Sequence, residues 1–425
     1  MEKSTRNQRN TCWKYFVEWV YFIFWGLPSQ LLRALQSIHI AGISTRTFFR
    51  HQSKYLNDVV GNVWFLQRNA LFNELQGTGL VVGADGRFDS MGHCAKYGSY
   101  TAMDLDRNKI LTVELVQSNE VPSSTHMELK GLQKMVQLFN QFNITVTALV
   151  TDRHRQIQKW IRENWQTVHH YFDCWHIAKS LKKKLQSLAK KTSCQLLRGW
   201  IKSIVNHFYW SVMSTEPGNE EMIESKWKSL LRHVQNIHHG HGEIFPSCMH
   251  TPLSDLDLRT IKWLKQDTEE CDSLQKLVET KMLVNDIKRC SSHGQTSAVE
   301  GYHSLVNQFA PKMYHFSFNG MKSRLFLAAM HYNENSCRQQ QQNKEGDLQY
   351  AIVFPKYKKG GHIVRKILVD CTYNYVDVLF SELITTVQEP NRGNHDIVDT
   401  PPPLCSNDGR PDKDTTVAQH AARFS

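Results

Sequence analysis

Leu80-Val81-Val82-Gly83-Ala84-Asp85-Gly86-Arg87-Phe88-Asp89 is the stretch on which the fold turns. Val81 and Val82 are β-branched, and Gly79 and Gly86 bracket an apolar run, so these residues read as a buried strand. The run ends in Asp85, with a second acid four positions on. Asp-Gly is also a common hairpin signal, and alone it suggests a turn. An acid closing a buried strand is costly unless it meets donors or a cation. A divalent metal shared by carboxylates from distant parts of the chain is one solution.

Working outward, residues 80–118 give three strands in a meander: the opening run, Tyr97–Leu105 and Ile110–Val116. A helix follows, with Leu132, Met135, Val136, Phe139 and Phe142 at steps of three and four. Ile144–Val150 alternates as a fourth strand and ends in Thr151-Asp152. Ile157, Trp160, Ile161 and Trp165 mark a helix, and Val168–Phe172 a fifth strand ending in Asp173-Cys174-Trp175-His176. Three meandering strands followed by two strand–helix units predict one mixed sheet with helices on its faces. Asp85, Asp152 and Asp173 each lie just past a strand run, where such sheets bind ligands. Asp89 rivals Asp85 but falls in the turn.

Residues 177–285 read as almost wholly helical, an all-helical insertion whose ends should lie together. Within it, His233-x4-His238-His239-x-His241 precedes Cys248-x-His250. Cys and His at this density suit a structural zinc held by Cys248 and His250 with two of the four upstream histidines, His233 and His238 being the preferred pair. The spacing matches no familiar finger, and an exposed His-rich loop is the alternative. After a polar turn at Ser291–Gly294, a helix beginning near Thr296-Ser297 carries Val299, Tyr302, Leu305, Val306 and Phe309 on one face. Glu300, His303, Ser304 and Asn307 share the other, which reads as a solvent face or as a face presenting one carboxylate.

The 425 residues carry a formal charge of +11, which favours an anionic partner, nucleic acid first. Residues 153–200 hold eleven Lys or Arg against two acids, and Lys182, Lys183 and Lys184 form the densest run. That run is either a solvated helix face or a DNA-backbone contact. Ten scattered cysteines fit a reducing compartment. Residues 13–27 are apolar, but the uncharged part, Trp19 to Leu27, is too short to span a bilayer, so no membrane is expected. Residues 1–77 read as a helical N-terminal region. Helix, Gly42 turn, and helix with Arg46 and Arg50 could be a helix-turn-helix, with Ser44 or Thr45 as N-cap. Residues 337–387 read as a C-terminal extension with strands at Tyr350–Phe354 and His362–Val369. Residues 388–425, rich in Pro, Asp and Asn, read as disordered. No Walker loop and no GxGxxG occurs, which counts against an NTPase or a dehydrogenase.

The stretches GADGRFDSMGHCAKYGSYT, VTDRHRQIQKWI, FDCWHIAKSLKKKL and VEGYHSLVNQFAPK, in this order, resemble Kolobok-type DDE transposases. The resemblance covers roughly residues 30–385. It implies an α/β, RNase H-like mixed five-stranded sheet flanked by helices, formed by residues 78–176 and 286–336 around the insertion. It also implies metal-dependent DNA hydrolysis and strand transfer by Asp85, Asp152 and Glu300, with Mg²⁺ or Mn²⁺ as cofactor. Asp173 and His176 match the family's D-x-x-H step. DNA as partner, a homo-oligomer (dimer or higher) and a nuclear location follow from the same resemblance. The family's N-terminal THAP-type zinc finger has no counterpart here, since Cys12 is the only cysteine before residue 85. A domesticated or decayed DNA-binding copy without catalysis is therefore the competing expectation.

Overall fold

A computed structural model describes residues 28–39, 43–92, 94–290, 296–388, 400–404 and 411–423. The apolar stretch 13–27 and the turn Ser291–Gly294 lie outside the described residues.

The chain enters through helix α1 (Pro28–Ser37) and helix α2 (Thr45–His51). Ser44 caps α2 by accepting from Thr47 N at 3.1 Å. A π-helical turn (Gln52–Leu56) runs straight into α3 (Asn57–Leu75). The sheet follows. Its first meander is β1 (Gly79–Phe88), β2 (Tyr97–Asp104) and β3 (Lys109–Gln117). Helix α4 (Met127–Gln141), β4 (Thr145–Thr151), α5 (Arg155–Asn164) and β5 (His169–Phe172) complete it. The strand order is β3-β2-β1-β4-β5. The β1–β2 and β2–β3 pairs are antiparallel, and the β1–β4 and β4–β5 pairs are parallel. This is the expected mixed five-stranded sheet flanked by helices.

Side-chain alternation splits the strands between two cores. Leu80, Val82, Ala84, Tyr100, Ala102 and Leu111 pack with Leu132, Met135 and Phe139 of α4. Gly131 lets α4 settle on β2, because a Cβ there would lie 2.3 Å from Tyr100 Cβ. Tyr97, Met103, Ile110, Val113 and Leu115 point the other way, toward α12 (Ser297–Phe309), α13 (Phe318–Asn335) and α14 (Asn374–Gln388). Val59, Val60, Val63 and Trp64 of α3 join that second core, and Trp64 stacks on Phe326 at 5.5 Å. Residues 45–75 are thus built into the sheet's own core. Arg46 and Arg50 are exposed on α2.

Between β5 and α12, among the described residues, lie six α-helices: α6 (Cys174–Leu188), α7 (Leu197–Met213), α8 (Glu220–His233), α9 (Asp255–Thr260), α10 (Glu269–Val278) and α11 (Lys281–Lys288). They have a core of their own around Leu181, Ile204, Phe208, Trp227, Leu274 and Ile287. The two ends of this block meet: Phe172 N donates to Arg289 O at 2.7 Å, and Phe172 bridges Cys290 in parallel. The longest non-helical stretch of the block lies between α8 and α9. Residues 234–254 form a loop in which His239 and Ser247 make an isolated antiparallel bridge. The Gly240, Gly242 and Pro246 punctuation there outweighs the helical pattern on either side.

Beyond α13, β6 (Tyr350–Val353) and β7 (Ile363–Lys366) form an antiparallel hairpin at the places read from sequence. The tail corrects an expectation. Helix α15 (Lys413–Ala421) forms within the stretch read as disordered, capped by Asp412, whose Oδ2 accepts from Thr415 N and Thr415 Oγ1. Pro402 O accepts from Gln117 Nε2 and Asn119 Nδ2 at 2.8 Å, which pins residues 400–404 to the sheet. Among the described residues no disulfide joins the cysteines, and no helix is long and apolar enough to cross a membrane.

Candidate metal and nucleic-acid site

Asp85 and Asp152 meet because β1 and β4 run parallel. The last register pair is Ala84 with Thr151, so the next position sets Asp85 beside Asp152. Asp152 lies one residue past β4, as the sequence predicts. Asp85 does not end its strand. The antiparallel pairing with β2 holds it opposite Thr101 and carries β1 three residues further. Alternation puts Asp85 and Arg87 on the face that meets α12. There Asp85 Oδ2 is 3.5 Å from His303 Nδ1, and His303 Nε2 is 3.1 Å from Thr101 Oγ1. Arg87 is buried and donates to Asn307 Oδ1 at 2.8 Å and Ala310 O at 2.7 Å. The polar stripe of α12 therefore docks on the sheet through His303 and Asn307. Glu300, one turn earlier, is left exposed at the strand ends.

Asp173 and His176 tie this edge together in different ways. Asp173 is buried and caps α6, its Oδ1 accepting from Trp175 N at 3.1 Å. Its Oδ2 accepts from buried Thr296 Oγ1 at 2.8 Å, which fixes the residue before α12 and so the start of the helix that carries Glu300. Both Asp173 oxygens are thus occupied by the protein. His176, one turn into α6, reaches toward both remaining acids. Its Nε2 is 3.3 Å from Asp152 Oδ1 and 3.9 Å from Glu300 Oε1. Ligand atoms of Asp152, Asp173 and His176 all lie within 4.8 Å of one another. Asp85 and Glu300 stand outside that tightest group, on its β1 and α12 sides.

A further carboxylate, Glu128 in the first turn of α4, was not read from sequence. It approaches because Gly86 has no side chain: a Cβ there would lie 2.6 Å from Glu128 Cγ. Burial, then Asp85, pushes Glu128 up to about 7. Burial, then Asp85, Asp173, Glu128 and Glu300, pushes Asp152 up to about 8. His154 Nε2 is 3.9 Å from Glu128 Oε2. Burial and then His126 hold His154 below its ordinary value, so this contact is not an ion pair at neutral pH. The fully buried Tyr100, whose hydroxyl has no hydrogen-bond partner, is raised by burial and by Glu128, Asp85 and Asp152.

These features fit a divalent cation. The donors are hard oxygens, the kind Mg²⁺ and Mn²⁺ take. Asp152 Oδ1 is buried and makes no hydrogen bond. The mutual repulsion of the acids is what a double positive charge would relieve.

Asp152 and Glu128 line a cleft of about 330 Å³ together with His154, His176, Lys184 and Asp286, among others. Arg153 on its rim pairs with Asp286. Of the basic run on α6, Lys184 faces this cleft, while Lys182 and Lys183 are exposed. A larger recess of about 870 Å³ lies beyond β5, between α5 and the helical block, and none of the acids lines it.

The second candidate centre is in the loop after α8. His233, His238, Cys248 and His250 each bring one ligand atom within 4.8 Å of the others. His241 stands behind Cys248, its Nε2 3.2 Å from Sγ. His239 is exposed and outside the group.

No curated protein matches the chain. Among solved structures it is similar to the "Drosophila P element transposase strand transfer complex", at 11% identity and a TM-score of 0.35, over 75% of this chain and 91% of that one. Residues 81–243 match the family model described as Mutator-like transposase, a span that contains Asp85, Asp152, Asp173 and His176 and stops before Cys248 and Glu300.

Proposed function

We propose that the protein is a transposase-like enzyme that cuts and joins DNA phosphodiesters at the Asp85–Asp152–Glu300 edge. The observation that carries this reading is the approach of acids from β1, the end of β4 and α12 to one edge, with His176 Nε2 3.3 Å from the buried Asp152 Oδ1 and 3.9 Å from Glu300 Oε1. Mg²⁺ or Mn²⁺ held by these three acids would activate a water or 3′-hydroxyl and stabilise the leaving oxygen. The chain's own residues set the geometry. Asp173 and Thr296 fix the start of α12 and so the placing of Glu300. His303 orients Asp85, and His176 sits between Asp152 and Glu300. Glu128, poised near neutrality at about 7, can take up a proton at its carboxylate. Lys184 in the cleft, with Lys182 and Lys183 beside it, would meet the phosphate backbone.

The Mutator-like match over residues 81–243 supports the transposase class. The Kolobok type rests on the four sequence stretches alone. Nuclear location and a homo-oligomer belong to the same proposal.

The test is an oligonucleotide cleavage and strand-transfer assay with Mg²⁺ or Mn²⁺. Asp85→Asn, Asp152→Asn and Glu300→Gln should each lower cleavage by more than about a hundredfold, with DNA retention unchanged. A wild type that binds DNA but never cuts it would favour the non-catalytic, domesticated reading. If Mn²⁺ raises the melting temperature of Glu300→Gln as much as that of wild type, Glu300 is not a ligand.

A further inference from the structure

We propose that His233, His238, Cys248 and His250 hold a structural zinc ion that fastens the loop 234–254 to the end of α8. The site is separate from the acid cluster, and its success or failure leaves the proposed DNA chemistry untouched.

The geometry is that of a tetrahedral N₃S centre. With Zn–N near 2.0–2.1 Å and Zn–S near 2.3 Å, neighbouring ligand atoms of a tetrahedral site should be about 3.3–3.6 Å apart. Cys248 Sγ lies 3.5 Å from His233 Nδ1, and His250 Nε2 lies 3.2 Å from His238 Nδ1. The three rings stand nearly perpendicular to one another. Their centroids are 5.1 Å apart for His233–His238, 5.3 Å for His233–His250 and 4.9 Å for His238–His250. Each ring brings one nitrogen within 4.8 Å of the other ligand atoms.

Proton placement supplies the second, independent observation. His250 Nδ1 is 2.7 Å from Thr251 O, a carbonyl that only accepts, so Nδ1 carries the hydrogen. His238 Nε2 is 3.0 Å from Asn236 Oδ1 and carries its hydrogen in the same way. The facing atoms, His250 Nε2 and His238 Nδ1, are then bare lone pairs 3.2 Å apart with no hydrogen to share. Two lone pairs at that distance repel, and a cation between them makes the contact favourable. The outer N–H bonds to Thr251 and Asn236 are the orienting contacts that metal-bound histidines make. His241 Nε2 would donate to the Cys248 thiolate from behind.

The loop is shaped around these ligands. Cys248 N donates to His238 O at 2.9 Å, and His241 N to Pro246 O at 3.1 Å, so the two arms run antiparallel. Trp263 packs edge-on against His233 and His238, at 6.2 and 5.9 Å. A loop this long without helix or strand usually has a device of its own to hold it. Four protein ligands leave no position for a reacting water, so the ion would be structural, not catalytic.

The experiment measures zinc per chain in the purified full-length protein by mass spectrometry, for wild type, Cys248→Ser, His238→Ala and the control His239→Ala. Wild type and His239→Ala should carry about one zinc, and the two ligand variants a small fraction of that. Asp152→Asn should keep its zinc, which separates this site from the acids. Cobalt exchanged into wild type should give the intense visible bands of a tetrahedral thiolate site, and this readout needs no variant to fold. Wild type without stoichiometric zinc, zinc content equal in Cys248→Ser, or cobalt spectra without a thiolate band would each overturn the proposal.

Discussion

Replacing Asp152 with asparagine should stabilise the metal-free protein. Burial and four neighbouring acids raise this carboxyl from an ordinary 3.8 to about 8. At about 1.4 kcal/mol per unit, four units would correspond to about 6 kcal/mol. The side chain is 33% exposed, and water screens much of that repulsion, so we expect ~2 kcal/mol. The sign follows from proton uptake. A carboxyl with a raised folded value binds more protons folded than unfolded, so stability falls as pH rises between the two values. The cost of Asp152 is therefore absent below about pH 4, grows up to about pH 8 and is complete above that. Asparagine cannot ionise and escapes it. Melting in chelator at pH 5 and pH 8.5 checks this: the variant should gain a few degrees over wild type at pH 8.5 and much less at pH 5. Mn²⁺ should then close or reverse the gap, because it stabilises only the protein that binds it. Equal melting of the two proteins at both pH values, or a variant that gains most at pH 5, would refute the electrostatic account.

Thr296→Val removes the hydroxyl that Asp173 Oδ2 accepts from. Leaving that buried oxygen unpaired should cost about 1–3 kcal/mol in urea unfolding and lower cleavage through misplacement of Glu300. Gly86→Ala puts a Cβ 2.6 Å from Glu128 Cγ, so Glu128 must retreat; cleavage should fall and its pH profile change, with DNA binding kept. Neutralising Lys182, Lys183 and Lys184 to Gln should weaken binding to unrelated DNA sequences about equally and flatten the log K against log salt slope by about 2–3 units, whereas an unchanged slope would make the run a solvated face.

The five strands, their mixed sheet and the places of Asp152 and Glu300 were legible because each depends on local pattern: period-2 runs, then an acid, then a 3.6-period helix. What was hidden depends on contacts across long separations. The Asp173 partner is Thr296, 123 residues away, so a capping residue could be read only as a motif acid. Glu128 is one of many acids in a first helical turn. Only its fit against Gly86, across two elements, marks it as part of the site. The apolar run stops at Asp85 and Gly86 follows, which reads as a strand end, but pairing of Asp85 and Gly86 with Thr101 and Tyr100 on β2 carries the strand on. In the His-rich loop, Cys248-x-His250 was visible as a ligand pair. Which two upstream histidines join it depends on the turn at Asn236, with its left-handed φ of 61°, and on the arms that close at His238 and Cys248.

The joining of Phe172 to Arg289 and Cys290 also orders events as the chain leaves the ribosome. Asp85 and Asp152 emerge first, on strands whose second face still lacks α12, α13 and α14. Glu300 follows 148 positions later (300 − 152), and Thr296 reaches Asp173 across the intervening helices, whose two ends lie together. Long-range pairings of this kind form late. A nascent or truncated chain therefore has two of the three acids and no third. Whatever the full set of acids does is withheld until synthesis has passed the helical block.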